Sequence, residues 1–128
     1  MRWNGGPVEG TEFSSVCTNS SIVLGVNPSK AADATTYASD RMWMVILGGG
    51  FYLGARTSGI DRMLLDGVHC GWYTDIADCI DLIRRYLADH VTRERVRAAG
   101  EAFVRTHHTY DQRIANLLSG DAFSEVLP

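Results

Sequence analysis

Two short polar segments carry the residue types that hold an anion. The first is Tyr37-Ala38-Ser39-Asp40-Arg41 and the second is Thr57-Ser58-Gly59. Each stands at the expected start of a helix, where unpaired backbone N–H groups and the helix dipole favour negative charge. A serine hydroxyl and the N–H groups near Ser39 could hold a diphosphate, and Arg41 would neutralise it with a bidentate fork. The same residues also suit plain structural work. Ser39 or Asp40 can cap a helix, Ser58 with Asp61 three positions on spells a capping box, and Arg41 suits an ion pair. Both readings stay open at this level.

Other chemistry-bearing residues point more firmly to structure. Gly48 to Gly50 lack the spacing of a dinucleotide fingerprint or a P-loop and read as a tight turn. His107 and His108 are neighbours on an expected helix and point in different directions. With no other His or Cys at ligand spacing, no metal is expected. His69 and Cys70 fall in an expected strand and read as packing residues. Trp43 and Trp72 read as core or interdomain anchors, and Trp72 and Tyr73 are the aromatics that could contact a base or sugar. No Ser-His-Asp or Cys-His arrangement appears, so catalytic residues are not identified.

The elements that must position these residues belong to a chain of 128 residues with 45% apolar and 21% charged residues, enough for one globular domain with a real core. Twelve basic residues against fifteen acidic ones leave a net charge of -3, which excludes a general nucleic-acid surface. Lys30 is the sole lysine among the twelve, a bias that genome composition alone can produce. Cys17, Cys70 and Cys79 lack paired spacing, and no secretory leader or membrane-length apolar run is present. These features suggest reduced thiols and a cytoplasmic protein.

Residues 1–10 read as an N-terminal loop, 11–120 as one α/β domain and 121–128 as a tail. A short helix is expected over 11–19, and SIVLGV (21–26) is a first strand closed by Asn27 and Pro28. A polar loop leads to a helix over 40–48 that is apolar all round and must be buried on most sides. The glycine turn then gives way to strand FYLGA (51–55), a helix started by the Ser58–Asp61 box and stopped near Gly67, and strand VHCGWY (68–73). Three helices follow. Ile76, Ile80, Ile83 and Leu87 mark the first; Thr92 opens the second, with Val96, Ala99 and Phe103; a Thr109–Gln112 capping box opens the third. Strands that read as continuous apolar runs between helices predict a small parallel sheet of about three strands in a Rossmann-like α/β/α arrangement, with a helical C-terminal third.

This order resembles the C-terminal, donor-binding domain of two-domain glycosyltransferases of the GT-B architecture, especially a CgeB-like group with a family 1-type domain. The residues that carry the likeness are LGGGFYLGARTSGIDRMLLDG, then HCGWYTD, a helix, an Arg/Glu-rich helix and His108-Thr109-Tyr110; it covers about residues 7–119. The resemblance implies that Tyr37, Ala38, Ser39 and Arg41, together with Thr57, Ser58 and Gly59, approach the diphosphate of a nucleotide sugar. That sugar nucleotide would be a substrate, with no cofactor or metal. Many relatives carry a Glu that bonds the donor ribose and another that contacts the sugar. Met44 and Thr36 stand at those positions here, and a thioether is only a weak acceptor, so donor recognition differs or is lost.

The resemblance therefore implies a nucleotide-sugar-binding domain that transfers a sugar to an unknown acceptor and is inactive in isolation, because an N-terminal acceptor domain would precede it. An alternative is a non-catalytic α/β module, or truncated relic, that self-associates. A thin sheet leaves an edge and apolar helix surface for a homodimer to bury.

Overall fold

A computed structural model describes residues 7–27 and 37–120. The N-terminal six residues, the loop over 28–36 and the tail over 121–128, Thr36 included, lie outside the described residues. Element order is α1 (Gly10–Asn19), β1 (Val23–Gly25), α2 (Asp40–Leu47), β2 (Tyr52–Ala55), a 3-10 turn (Ile60–Arg62), β3 (Gly71–Tyr73), α3 (Ile76–Ala88), α4 (His90–His107) and α5 (Tyr110–Ser119).

The three strands form one parallel sheet in the order β1-β2-β3, as the apolar runs predict. Its two faces collect different partners because side chains alternate along each strand. Val23, Tyr52 and Trp72 face α2 and α1, in a cluster with Cys17, Met42, Val45, Ile46, Ile60 and Leu64. Phe51 and Leu53 face α3 and α4, packed on Leu82, Tyr86 and Val96. Helix α4 serves both sides, since its Val104 joins the first cluster and its Val96 the second. The domain is thus α/β with a helical C-terminal third.

Helix α2 sets the frame for the site. Met42, Trp43, Val45 and Ile46 are buried, as an all-apolar helix requires, but Met44 faces solvent at 51% exposure. The helix ends at the Gly48–Gly50 turn, where Gly49 adopts a positive φ of 77°. Three outside donors fix that turn. Thr18 Oγ1 donates to Gly48 O at 2.8 Å, Arg97 Nη1 to Gly49 O at 2.8 Å, and Arg105 Nη2 to Leu47 O at 3.4 Å. The glycines therefore do structural work.

Several expectations need correction. The Ser58–Asp61 box does not start an α-helix. Gly59, left-handed at φ 79°, precedes a single 3-10 turn with no side-chain cap, and Asp61 pairs instead with Arg56 at 2.6 Å. The rest of this crossover is loop, held because Trp72 Nε1 donates to Leu64 O and the Trp72 amide donates to Asp66 Oδ1. Gly67 does take the left-handed conformation, but in a turn rather than after a helix. Ser39 occupies the N-cap of α2 without making a side-chain cap bond. Helix α4 starts at His90, two residues before the expected Thr92, because Asp89 caps it by accepting from the Thr92 amide. Of the α3 residues at helical spacing only Ile83 packs on the core: Ile76 is 79% exposed and Ile80 and Leu87 are also exposed, while Leu82 and Tyr86 are buried. The Thr109–Gln112 box forms as expected, with Gln112 N reaching Thr109 Oγ1 and Thr109 N reaching Gln112 Oε1.

Candidate functional site

A parallel sheet sends all its strands out at one rim, and here Gly25, Ala55 and Tyr73 end there. That rim is laced across the strands. Asn27 Nδ2 donates to Ala55 O at 3.1 Å, the Arg56 amide to Tyr73 O at 2.8 Å, and the Tyr73 hydroxyl to Gly25 O at 2.8 Å. Above it, the Thr57 hydroxyl donates to the Tyr37 carbonyl at 3.1 Å. Thr57 is only 9% exposed, so its bond is held in place by surrounding protein. The bend before α2 and the bend after β2 therefore meet at one rim.

The N-terminus of α2 opens onto the same place. Ser39 makes no side-chain cap, and its carbonyl accepts the Met42 amide at 3.0 Å; among the described residues no side chain caps the start of the helix. Ala38 and Asp40 are exposed beside it. Arg41 is exposed and makes no ion pair among the described residues, whereas the neighbouring Arg56 is paired with Asp61. Ser58 lies exposed on the facing turn, and Gly59 supplies its left-handed bend.

Beneath the bends lies Tyr52, buried along β2. Gly25 and Gly54 make room for it: a Cβ at Gly25 would stand 2.0 Å from the Tyr52 hydroxyl oxygen, and one at Gly54 would stand 2.4 Å from its ring. Burial pushes the phenol up to about 12, the fields of Cys70, Tyr73 and Tyr37 act the same way, and the positive charge of Arg41 opposes them.

Of the two aromatics, Trp72 is taken out of reach. It is 4% exposed, sits edge-on to Tyr52 with ring centroids 5.9 Å apart, and commits its indole N–H to Leu64 O. Tyr73 is half-buried with its hydroxyl on Gly25 O. On the outer side of α2, Arg41 and Met44 line an open groove with Val8, Glu9, Gly10 and Phe13, about 760 Å³ with the solvent at its mouth included.

His69, His107 and His108 gather around the Phe103 ring. His69 stacks on Phe103 with centroids 4.1 Å apart, and His108 lies on Trp43 at 4.6 Å. Among the described residues no three His, Cys, Asp or Glu side chains are placed to hold a metal. No described helix is long and apolar enough to cross a membrane. Sequence reasoning overlooked Asn27 and Tyr52 as rim residues. Asn27 looked like a strand terminator and Tyr52 like core, and only the glycines at 25 and 54 hinted that a large ring must cross the sheet there.

With this geometry in hand, comparison with known proteins agrees with the fold. The family model described as glycosyl transferase-like matches residues 2–119, and the chain belongs to that family. No curated protein and no solved structure gives a significant match.

Proposed function

We propose that this glycosyl transferase-like domain binds the diphosphate of a nucleotide-sugar donor at the rim where the Tyr37 and Thr57 bends meet. One observation carries the reading: the Thr57–Tyr37 bond joins both bends beside the uncapped start of α2 and an Arg41 that makes no ion pair among the described residues. Backbone amides of Ala38 to Arg41 and of Ser58 and Gly59 would cradle the phosphates. Arg41 would stabilise the charge that develops on the departing diphosphate, without a metal. Tyr73 is the aromatic left to meet base or sugar. Met44 leaves the donor ribose to other groups. The GT-B architecture, the CgeB-like likeness, a cytoplasmic setting for the three free thiols and an acceptor half supplied by another domain belong to the same proposal.

Titration with UDP and GDP by calorimetry tests it. Binding at millimolar nucleotide or tighter, weakened about tenfold by Arg41→Ala, supports the reading, since a charge-assisted bond contributes about 1.5–3 kcal/mol. No heat and no thermal stabilisation with either nucleotide would refute it.

A second reading, self-association as a homodimer, draws on the apolar residues that the described fold leaves outside: Ile76, Ile80, Leu87 and Val91 around α3, and Ile114, Leu117 and Leu118 on α5. Sedimentation tests it. A dimer at micromolar concentration favours this reading, and a monomer throughout counts against it.

A further inference from the structure

We infer that the groove between α1 and α2 is a base subsite selective for guanine, with the carboxylate of Glu9 as the group that reads the base. The inference rests on the diphosphate reading above and narrows its ligand to a guanine nucleotide.

The groove begins at the proposed phosphate cradle. Arg41, in the first turn of α2, belongs to both, and Met44 follows three residues on in the lining. Three residues of helix rise about 4.5 Å, a step that suits the ribose between a phosphate and its base. Past Arg41 the lining turns apolar. Val8 and Phe13 are half-buried and Met44 is exposed. Phe13 also packs against the core cluster, which fixes its ring. Beside it Gly10 leaves open space, since a Cβ there would meet nothing within 4 Å. At about 760 Å³, solvent at its mouth included, the groove has room for a nucleoside. An aromatic edge and a thioether are surfaces that suit the face of a flat ring.

Glu9 supplies the polar contact. It stands at the N-cap of α1 in an extended conformation, yet its side chain makes no cap bond and the residue is exposed. A carboxylate offers acceptors only. Guanine, alone among the common bases, has two adjacent N–H donors on its pairing edge, N1–H and N2–H, which match the two oxygens of a carboxylate as a fork does. Uracil presents one N3–H between two carbonyl oxygens, and a carboxylate repels those oxygens. Adenine and cytosine each present an amino group beside a bare ring nitrogen, which is itself an acceptor. The groove thus combines a cation for the phosphates, apolar walls for the ring and one anion for the base edge. The competing arrangement is a Glu9–Arg41 pair, in which each residue serves the other.

Calorimetric titration of the intact chain with GDP, UDP and IDP, which is GDP without the 2-amino group, tests the subsite. GDP should bind at least about tenfold tighter than UDP, the worth of one charge-assisted bond, with IDP between them. Glu9→Ala should abolish this preference and leave the thermal melt close to wild type, since the side chain caps nothing. Arg41→Ala should weaken GDP and UDP alike, which separates the phosphate contact from the base contact. Equal affinity for GDP and UDP, or a preference that survives in Glu9→Ala, overturns the inference and leaves the diphosphate reading standing. Tighter GDP binding by Glu9→Ala also overturns it, because Glu9 would then be the partner of Arg41. Failure of every nucleotide to bind removes both readings.

Discussion

The hydroxyl of Thr57 donates to the backbone carbonyl of Tyr37 at 3.1 Å, across twenty positions of sequence. This bond ties the loop that enters α2 to the loop that leaves β2. It holds the two turns together at the rim where the strands end.

Thr57→Val removes that donor and leaves a carbonyl to find water. Stability should fall by about 1 kcal/mol, the net value of such a bond. Under the proposed function, UDP or GDP affinity should fall as well, because the two bends would no longer be held together. Thr57→Ser should restore both. Urea denaturation with calorimetry on the three chains measures this, and unchanged nucleotide affinity in Thr57→Val would separate the bond from the site.

Trp72 offers the opposite outcome. Its ring is enclosed and its N–H is committed to Leu64 O at 2.8 Å. Trp72→Phe should cost about 2–3 kcal/mol, from lost volume and an orphaned carbonyl. Nucleotide affinity, measured well below the melting temperature, should not change. A selective loss of affinity would assign Trp72 a ligand contact after all.

Gly100 marks the tightest approach between α4 and the turn before β3. A Cβ there would stand 2.1 Å from the His69 carbonyl oxygen, a backbone atom that cannot swing aside. Gly100→Ala should therefore destabilise by about 3 kcal/mol despite its gain in helix propensity. A thermal melt matching wild type would show that α4 sits farther from the turn.

His108 makes stability depend on pH. Its folded pKa is depressed to about 4, with burial the largest cause and Arg113, His107 and His69 adding to it. An unfolded imidazole titrates near 6.5. Between those values the unfolded chain holds a proton that the folded chain does not. The stabilisation is therefore complete above about pH 6.5, declines as pH falls towards 4, and levels off below. Its size is on the order of 3 kcal/mol. Urea denaturation of wild type and His108→Phe at pH 7 and pH 4.5 isolates it from the carboxylates. The gap between the two chains should shift in favour of the variant at the lower pH, and a constant gap would refute the assignment.

The sequence by itself determined the order of elements apart from the crossover over 58–67, the parallel sheet, the glycine turn and the Thr109–Gln112 cap. These are encoded locally, by apolar runs, positive-φ glycine and residues three apart. What it left undecided needed neighbours. Helix α3 carries two overlapping stripes at helical spacing, Ile76-Ile80-Ile83-Leu87 and Cys79-Leu82-Ile83-Tyr86. Periodicity alone ranks them equally. Only the tertiary structure chose the second, because Tyr86 packs on Phe51 at 4.5 Å in space that Gly71 leaves open. The same holds for the site. Ser39, Arg41, Thr57 and Ser58 were legible as anion-binding types, but their meeting at one rim required the fold. Arg113 gave no signal at all, since its place over the Trp43 ring exists only once the chain has closed.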